Sequence, residues 1–481
     1  YLGAVVGVGL WCGRRGASSE GFMAAGRSLP GWAVGLSMFG SYISSISFLA
    51  NPGKAFESNW SPFVFTLATP IAAAVAVRWF MPFYRRLGDV SAYEHLEHRF
   101  GSWARTYAVV CFLLTQVART AVVLYLLALA ASSLTGWSVP STILITGLVM
   151  TVYTLGSGIN AVVWTGVVQS AVLIAGTLCC LAAVILQTPG GLKGIVDAGV
   201  DAQKFSLGGL GMDFTGPTFW VLLLFGLVTH LSNFGVDQSY VQRYISARSD
   251  REAAKSIWIT ALLYVPVAGV FFFIGTALFT FYGARPELLE STAGPDEVFP
   301  HFIATQLPAG MAGLVVAAIF AASMDSNLNS MATLTLCDIY KRHWRPQAGE
   351  RESLLVLRGS TIAWGVVGTV AALAMSRAGE TTLDVWWKLA GLLSGGVLGL
   401  FLLGLCCRSV RRPAAAIATV IGVLATIWMA LPEFSEFFEV PASIRNPLHA
   451  NMTMVIATLT IFLCGFVLTK VQDRLSAVRG R

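Results

Sequence analysis

Side chains that bear oxygen cluster within one long apolar run of this sequence, between residues 319 and 330. A helix of roughly 20 apolar residues crosses a bilayer, and this run is longer. Ser323, Ser326 and Ser330 recur at helical spacing and share one face, with Asp325 beside them. Hydroxyl oxygens combined with a carboxylate suit a small hard cation. The stretch therefore predicts a cation site at membrane depth.

Asp325 needs compensation, because an Asp at the centre of a membrane helix costs a few kcal/mol. In the first interpretation a bound cation provides it. In the alternative, the hydroxyls bond back to the carbonyls of their own helix, and Asp325 is protonated or paired. We favour the cation, since ionisable residues inside membrane helices are usually functional.

The composition is typical of a polytopic helical membrane protein. Of the 481 residues, 55% are hydrophobic and 12% charged, with a mean hydropathy of +0.69, whereas soluble proteins average about 25% charged residues. The net charge of +7 does not indicate nucleic-acid binding, because the basic residues fall in short loops between apolar spans. The eight cysteines lie within or beside these spans without metal-ligand spacing, which predicts reduced core residues.

Hydropathy predicts about thirteen membrane-spanning helices with short loops and no appended soluble domain. Their approximate bounds are 1–12, 31–50, 62–84, 106–134, 140–155, 161–187, 217–242, 256–282, 310–340, 354–376, 384–407, 413–431 and 451–469. Because Tyr1 already belongs to an apolar segment, we expect the native N-terminus to lie upstream.

Lysine and arginine are unevenly divided between the two sets of loops, and cytoplasmic loops carry the excess of these residues. The poorer side holds Lys54, Lys193, Lys204, Arg285, Arg377 and Arg445. The richer side includes Arg85, Arg105, Arg243 and the basic C-terminal tail. With an odd number of spans, this bias predicts an external N-terminus and a cytoplasmic C-terminus in the plasma (inner) membrane.

Two predicted spans, five apart in the chain, are interrupted by glycine and polar residues. They cover residues 35–53 and 225–239. Interrupted helices at matching positions of two five-helix halves are typical of inverted-repeat transporters, whose site lies between the halves. The alternative is that these glycines and serines are close-packing positions between helices. Two interrupted spans together with the polar stretch favour the transporter.

Four segments of the chain resemble the sodium/solute symporter family, which includes sodium/glucose cotransporters and bacterial sialic acid transporters. They are EGFMAAGRSLPGW at residues 20–32, DQSYVQRY at 237–244, NSMATLTLCDIY at 329–340 and GLFLLG at 399–404. The resemblance implies an all-α LeuT-type fold with five plus five inverted core helices, one helix before them and two after. It implies a leading helix and loop at 1–30, a first inverted repeat at 31–187, an external loop at 188–216, a second inverted repeat at 217–408, and two C-terminal helices with a cytoplasmic tail at 409–481.

The resemblance also implies sodium sites. The principal site would use the carbonyls of Gly40, Ile43 and Ile319 and the hydroxyl of Ser323. Many members have two adjacent serines there, whereas this chain has Ala322 before Ser323, so one ligand is lost.

A second sodium site in some members needs an Asp where this chain has Gly166. Asp325 and Ser326 fall where such members place two hydroxyl ligands of that site. Asp325 could therefore supply, from a different helix, the carboxylate that is absent at Gly166. Asp325 is either a ligand of the second ion or a counter-charge, and we favour the ligand. The number of ions carried stays open.

The implied solute site surrounds the broken helices. Its expected residues are Ser41, Tyr42, Ser44, Ser47, Arg119, Asp237, Gln238 and Trp387. Arg119 lies in mid-span, and its planar guanidinium suits a carboxylate. The alternative is a structural pair with Asp237 or Asp325. His230 is interpreted as a core histidine and receives no role.

The sequence as a whole predicts a monomeric sodium symporter that imports a small organic solute, carboxylate-bearing such as sialic acid, across the bilayer. The alternatives are a symporter for sugars or other neutral solutes, and a membrane sensor that carries nothing. A channel is disfavoured because no continuous polar stripe follows several spans. An enzyme is disfavoured because the chain lacks HExxH, a Cys/His cluster and a carboxylate dyad.

Overall fold

The computed structural model describes residues 7, 19–44, 46–88, 90–155, 158–289, 294–323, 327–376, 382–394, 396–407, 410–434, 441 and 445–479. Within these ranges the regular elements are helical, and the β contact is a single bridge between Leu29 and Ala247. The helical class predicted from composition is therefore confirmed. The first predicted span, 1–12, and the ligand candidates Asp325 and Ser326 lie outside the described residues, as do the side chains of Ala322 and Ser323.

The principal helices are numbered here in chain order. They are α1 (Ser19–Ala24), α2 (Gly31–Tyr42), α3 (Ile46–Glu57), α4 (Phe63–Leu87), α5 (Glu94–Phe100), α6 (Ser102–Thr135), α7 (Val139–Leu155), α8 (Ile159–Gln187), α9 (Gly191–Asp201), α10 (Phe219–Gly235), α11 (Gln238–Ile245), α12 (Asp250–Ala284), α13 (Pro295–Gln306), α14 (Ala309–Ser323), α15 (Asn327–Leu334), α16 (Glu350–Met375), α17 (Thr382–Leu393), α18 (Val397–Cys406), α19 (Arg412–Ala430) and α20 (Met452–Arg479). A wide-turn helix, Thr335–Trp344, continues α15.

Seven of the described helices are long and apolar enough to cross a membrane, and three bent pairs extend that number to as many as ten. Two shorter apolar helices, Val139–Val152 and Ala309–Ala321, lie where two further spans were predicted. The total of thirteen stays a prediction.

Both predicted interruptions are bends in the structure. Helices α2 and α3 meet at 57°, because Ile43 leaves the helical region (φ −94°, ψ 87°). Helices α10 and α11 meet at 50°, where the side chain of Asp237 caps α11 by accepting a hydrogen bond from the Ser239 amide at 2.7 Å. Glycine and hydroxyl-rich sequence thus gives two broken helices, as the pattern predicted.

A third bend was not predicted. Helices α17 and α18 meet at 44°, although residues 384–407 were expected to form one uninterrupted span. Gly396 at the junction has φ +69°, a left-handed conformation that glycine adopts without steric cost. The adjacent glycines 395 and 396 were the local signal for this break.

Helix α2 is held tightly on two sides. Ser170 of α8 donates a hydrogen bond to the Leu36 carbonyl at 2.7 Å, and Thr260 of α12 donates to the Gly35 carbonyl at 3.0 Å. A Cβ on Gly166 would lie only 2.9 Å from the Cα of Ser37. Gly166 is therefore a position of close helix contact, with α2 packed directly on α8.

Candidate functional site

A cavity of about 100 Å³ lies beside the break between α2 and α3. It is bordered by α6, by α10 and by α17, which surround this break. Its lining residues are Tyr42, Ser44, Ile46, Ser47, Asn51, Pro62, Phe65, Thr66, Arg119, Thr229, His230, Asn233, Tyr240, Tyr264, Phe272, Leu383, Trp386 and Trp387. We call this space the central cavity. Aromatic rings, hydroxyls and one guanidinium together suit a small polar organic molecule.

The structure brings most of the predicted solute residues to this cavity. Tyr42, Ser44 and Ser47 enter from the first broken helix, with Arg119 from α6 and Trp387 from α17. These residues are far apart in the sequence, and the fold brings them together at one cavity. Ser41 is buried just outside the lining and contacts Arg119 through its backbone.

Arg119 lies between two cavities. A second space of about 80 Å³, which we call the second cavity, shares Arg119, Thr229, Asn233 and Trp386 with the central cavity. The Arg119 guanidinium donates a hydrogen bond to the carbonyl of Ser41, close to the end of α2. Carbonyls at a helix C-terminus carry partial negative charge, so this contact holds the arginine in place.

Asp237 faces the second cavity rather than the central one. Its Oδ2 accepts a hydrogen bond from Gln116 Nε2 at 3.1 Å, while Oδ1 caps α11. The carboxylate therefore joins α6 to the bend of the second broken helix. It also gives the second cavity an acidic group.

Gln238, the other solute residue predicted from this bend, lines neither cavity. It is fully buried, with Oε1 accepting from the Ala92 amide and Nε2 donating to the Val90 carbonyl, both at 2.8 Å. Its amide thus pins the loop after α4 onto the broken helix.

Arg243 differs from its predicted place. The charge count put it in a cytoplasmic loop, but it is 2% exposed and donates to the hydroxyl of Ser41. Ser41 therefore accepts hydrogen bonds from two arginines, from Arg243 at its hydroxyl and from Arg119 at its carbonyl. Loop assignment from hydropathy failed here because α11 is short and its polar residues pack inward.

Sequence reasoning did not single out Thr229 and Asn233, which lie one helical turn apart on α10 and line both cavities. Polar residues at i and i+4 within an apolar span were the available signal. Phe65, Thr66 and Trp386 were missed because nothing local distinguishes them from ordinary packing residues.

The expected sodium ligands come from helices that pack on the same neighbour. A Cβ on Gly40 would lie 2.8 Å from the Ser170 hydroxyl of α8, and a Cβ on Gly176 of α8 would lie 2.5 Å from Ala318 of α14. Ile319 is buried, and in the last turn of α2 the Phe39 carbonyl accepts from the Ile43 amide at 3.0 Å, which continues the helical pattern up to the break. Gly40 of α2 and Ala318 of α14 therefore both pack closely on α8.

Two broken helices beside a polar cavity, inside a bundle of apolar helices, define a multi-pass membrane transporter of the LeuT type rather than an enzyme. A family model described as Sodium:solute symporter family matches residues 22–422, and the chain belongs to this family. The predicted family and the prediction of sodium as the coupled ion are confirmed.

Similar proteins include sodium/sialic acid symporters of two bacteria. NanT of Aliivibrio fischeri is 33% identical over 444 residues, which cover 91% of this chain and 88% of that protein. SiaT of Proteus mirabilis is 32% identical over 433 residues, 89% of this chain and 87% of that protein. The human sodium/iodide cotransporter is 29% identical over 440 residues, with 88% of this chain and 67% of that protein covered.

Solved structures agree with the fold. A substrate-bound outward-open Na+-coupled sialic acid symporter matches with a TM-score of 0.89 and 29% identity, over 98% of this chain and 96% of that one. Mhp1, a nucleobase-cation-symport-1 family transporter, matches with a TM-score of 0.59 and 16% identity, over 94% of this chain and 95% of that one. The second likeness concerns the fold alone.

Proposed function

We propose that this protein imports a carboxylate-bearing solute together with sodium, and that the solute is sialic acid. The observation that carries the proposal is Arg119, a guanidinium in mid-helix that lines a cavity rich in aromatic rings and hydroxyls. A carboxylate accepts two parallel hydrogen bonds from such a group. The names of the two bacterial relatives, both sodium/sialic acid symporters, support the same solute class.

The rest of the central cavity fits a polar ring. Trp386 and Trp387 offer apolar faces for the carbon skeleton, while Ser44 and Ser47 offer hydroxyls. Arg119 holds the acidic end, so the solute has a fixed orientation. A neutral sugar offers the guanidinium no carboxylate for the two parallel hydrogen bonds, which disfavours the sugar alternative.

Sodium binds, in this proposal, to the carbonyls of Gly40, Ile43 and Ile319 and to the hydroxyl of Ser323. This ion joins the end of α2 to the end of α14 across α8. Because the same break presents Tyr42 and Ser44 to the solute, an ion that orders the break also favours solute binding. Thermodynamic linkage then requires that the solute favours sodium equally.

The two cavities suggest the route. They share a wall of Arg119, Thr229, Asn233 and Trp386, so a solute held at Arg119 has open space on both sides of it. We place the central cavity toward the outside and the second toward the cytoplasm, in keeping with an external N-terminus and a cytoplasmic C-terminus. The transporting unit is the monomer, because both cavities form within one chain.

Uptake of labelled sialic acid into proteoliposomes tests the proposal. We expect concentrative uptake with an inward sodium gradient and none when potassium replaces sodium on both sides. Uptake of a neutral hexose with equal dependence on sodium and no effect of Arg119→Ala would establish the sugar alternative. Binding without uptake would establish the sensor.

A further inference from the structure

His230 lies in the central cavity, although the sequence offered no role for it. The side chain is 1% exposed and comes from α10, one residue after Thr229. Its ring lies among those of Phe65, Tyr42 and Tyr264, with centroid distances of 4.6, 5.6 and 5.9 Å. Burial away from water disfavours a charged imidazolium, so the ring is neutral.

The hydrogen bond of His230 fixes which ring nitrogen carries the proton. Nε2 lies 3.1 Å from the carbonyl oxygen of Phe65. A carbonyl oxygen can only accept, so Nε2 must donate its hydrogen. The neutral ring has one N–H, and Nδ1 is therefore a bare acceptor.

That acceptor is buried and unsatisfied. Among the described residues, none makes a hydrogen bond to His230 Nδ1. Most buried polar atoms in folded proteins have a partner, and an exception on the wall of a binding cavity points to a ligand that supplies one. The donor that suits a neutral imidazole nitrogen is a hydroxyl or an amide N–H.

We propose that His230 Nδ1 accepts a hydrogen bond from a hydroxyl or amide N–H of the solute, which makes His230 a specificity-determining residue. The inference rests on the proposed function, because Arg119 holds the carboxylate of the same solute. Together the two residues select a molecule with an acid group and a separate hydrogen-bond donor. A carboxylate without such a donor leaves Nδ1 unpaired and binds less well.

Two isosteric substitutions separate this role from a packing role. Glutamine places its amide nitrogen near the position of Nε2, so His230→Gln keeps the bond to Phe65 and loses the acceptor at Nδ1. Asparagine places its amide oxygen near Nδ1, so His230→Asn keeps the acceptor and loses the bond to Phe65. The two variants therefore remove one interaction each.

The experiment measures sialic acid binding to purified protein in saturating sodium by titration calorimetry. We expect His230→Gln to weaken binding by about 10-fold or more, and His230→Asn to stay within about 3-fold of wild type. Pyruvate, a carboxylate without a hydroxyl or amide donor, should bind wild type and His230→Gln equally weakly. His230→Phe, which keeps the aromatic packing and removes both nitrogens, should behave as His230→Gln does and replaces it if that variant fails to fold.

The reverse order, with His230→Asn weak and His230→Gln normal, overturns the inference and makes the bond to Phe65 the important one. Equal affinities for wild type, His230→Gln and His230→Phe also overturn it, while the proposed function stands. Wild-type protein that does not bind sialic acid in sodium overturns both. Failure of the inference and failure of the proposed function are thus distinguishable.

Discussion

Helix α6 carries two arginines fourteen positions apart, and their surroundings differ sharply. Arg105, in the first turn, donates to Asp338 and to Glu97, the second at 2.9 Å. Glu97 also accepts from Arg342. Arg119, roughly 20 Å further along the helix axis, donates to the Ser41 carbonyl and lines both cavities.

The two arginines have different roles. Arg105 is buried and bonded to two carboxylates, and this cluster joins α5, α6 and the helix Thr335–Trp344. The cluster therefore holds these three helices together. Arg119 borders open space, so it stays accessible to a ligand. The charge count had placed both Arg105 and Arg243 in loops, and burial of both corrects that prediction.

The largest effect is expected from breaking the cluster. Asp338→Asn removes the charge that faces Arg105 at a site where the Asp338 side chain is 1% exposed. Loss of one partner of a buried ion pair costs about 3–5 kcal/mol, so the thermal midpoint should fall markedly. Thermal unfolding of purified protein in detergent checks this.

The double variant Arg105→Met, Asp338→Leu is the matched control for that experiment. It should recover much of the loss, because the buried guanidinium is then removed together with the buried carboxylate that faces it. If Asp338→Asn is as stable as wild type, the cluster does not stabilise the fold. Arg105 would then not differ from Arg119 by having a structural role.

Arg119→Ala should affect binding rather than stability. Loss of two charge-assisted hydrogen bonds to the carboxylate is worth about 3 kcal/mol, or at least 100-fold in sialic acid affinity. Arg119→Lys should rescue poorly, because a point charge does not reproduce the planar fork. Calorimetric titration measures both. Unchanged affinity in Arg119→Ala would remove the arginine from the solute site.

Ser323→Ala tests whether Ser323 is a ligand of the principal sodium site. Since Ala322 already replaces one hydroxyl, Ser323 is the remaining one of the pair. Loss of a single neutral ligand costs about 1 kcal/mol, and the half-saturating sodium concentration for uptake should rise roughly 5-fold. The same sodium dependence in both proteins would move the site elsewhere.

Asp325→Asn distinguishes a ligand from a counter-charge. As a ligand of a second sodium, Asp325 should determine how many ions accompany each solute, and the variant should carry fewer. As a counter-charge to Arg119, it should leave the ratio intact and weaken solute binding or folding. Reversal potentials of wild type and Asp325→Asn measure the ratio directly. An identical ratio excludes the ligand interpretation.

The smallest effect concerns pH at the cluster. Burial raises the pKa of Glu97, but the hydrogen bond from Arg105 and the charge of Arg342 outweigh it and hold that pKa below its usual value. A lowered pKa in the folded state stabilises the protein above the unfolded pKa, and this stability is lost as pH falls through the folded pKa. Thermal midpoints should therefore fall below about pH 4.

Glu97→Gln is the control for this titration. It should be less stable than wild type near neutral pH and show a flatter decline in acid, because it has no proton to take up. Parallel curves for the two proteins would assign the acid sensitivity to other groups.

The class of protein, the long apolar helices and two of the three described bends could be predicted from the sequence, and Arg119 stood out there as a candidate ligand. These features are local. Hydropathy over about 20 residues specifies a span, glycine and hydroxyl residues specify a break, and an arginine inside a span is unusual wherever the chain goes. Tyr42, Ser44, Ser47 and Trp387 reached the central cavity as the family resemblance implied.

Which polar groups face the cavities and which hold the fold together depends on how the helices pack. Arg105 and Asp338 are 233 residues apart, and Gln238 meets Val90 across 148 residues. Gln238 is hydrogen-bonded to the loop after α4, whereas its neighbour Asp237 borders the second cavity. Nothing in the local sequence distinguishes the two. The bare nitrogen of His230 depends on the carbonyl of Phe65, 165 residues away. Hydrogen-bond partners at such separations follow from helix packing, which a one-dimensional pattern does not encode.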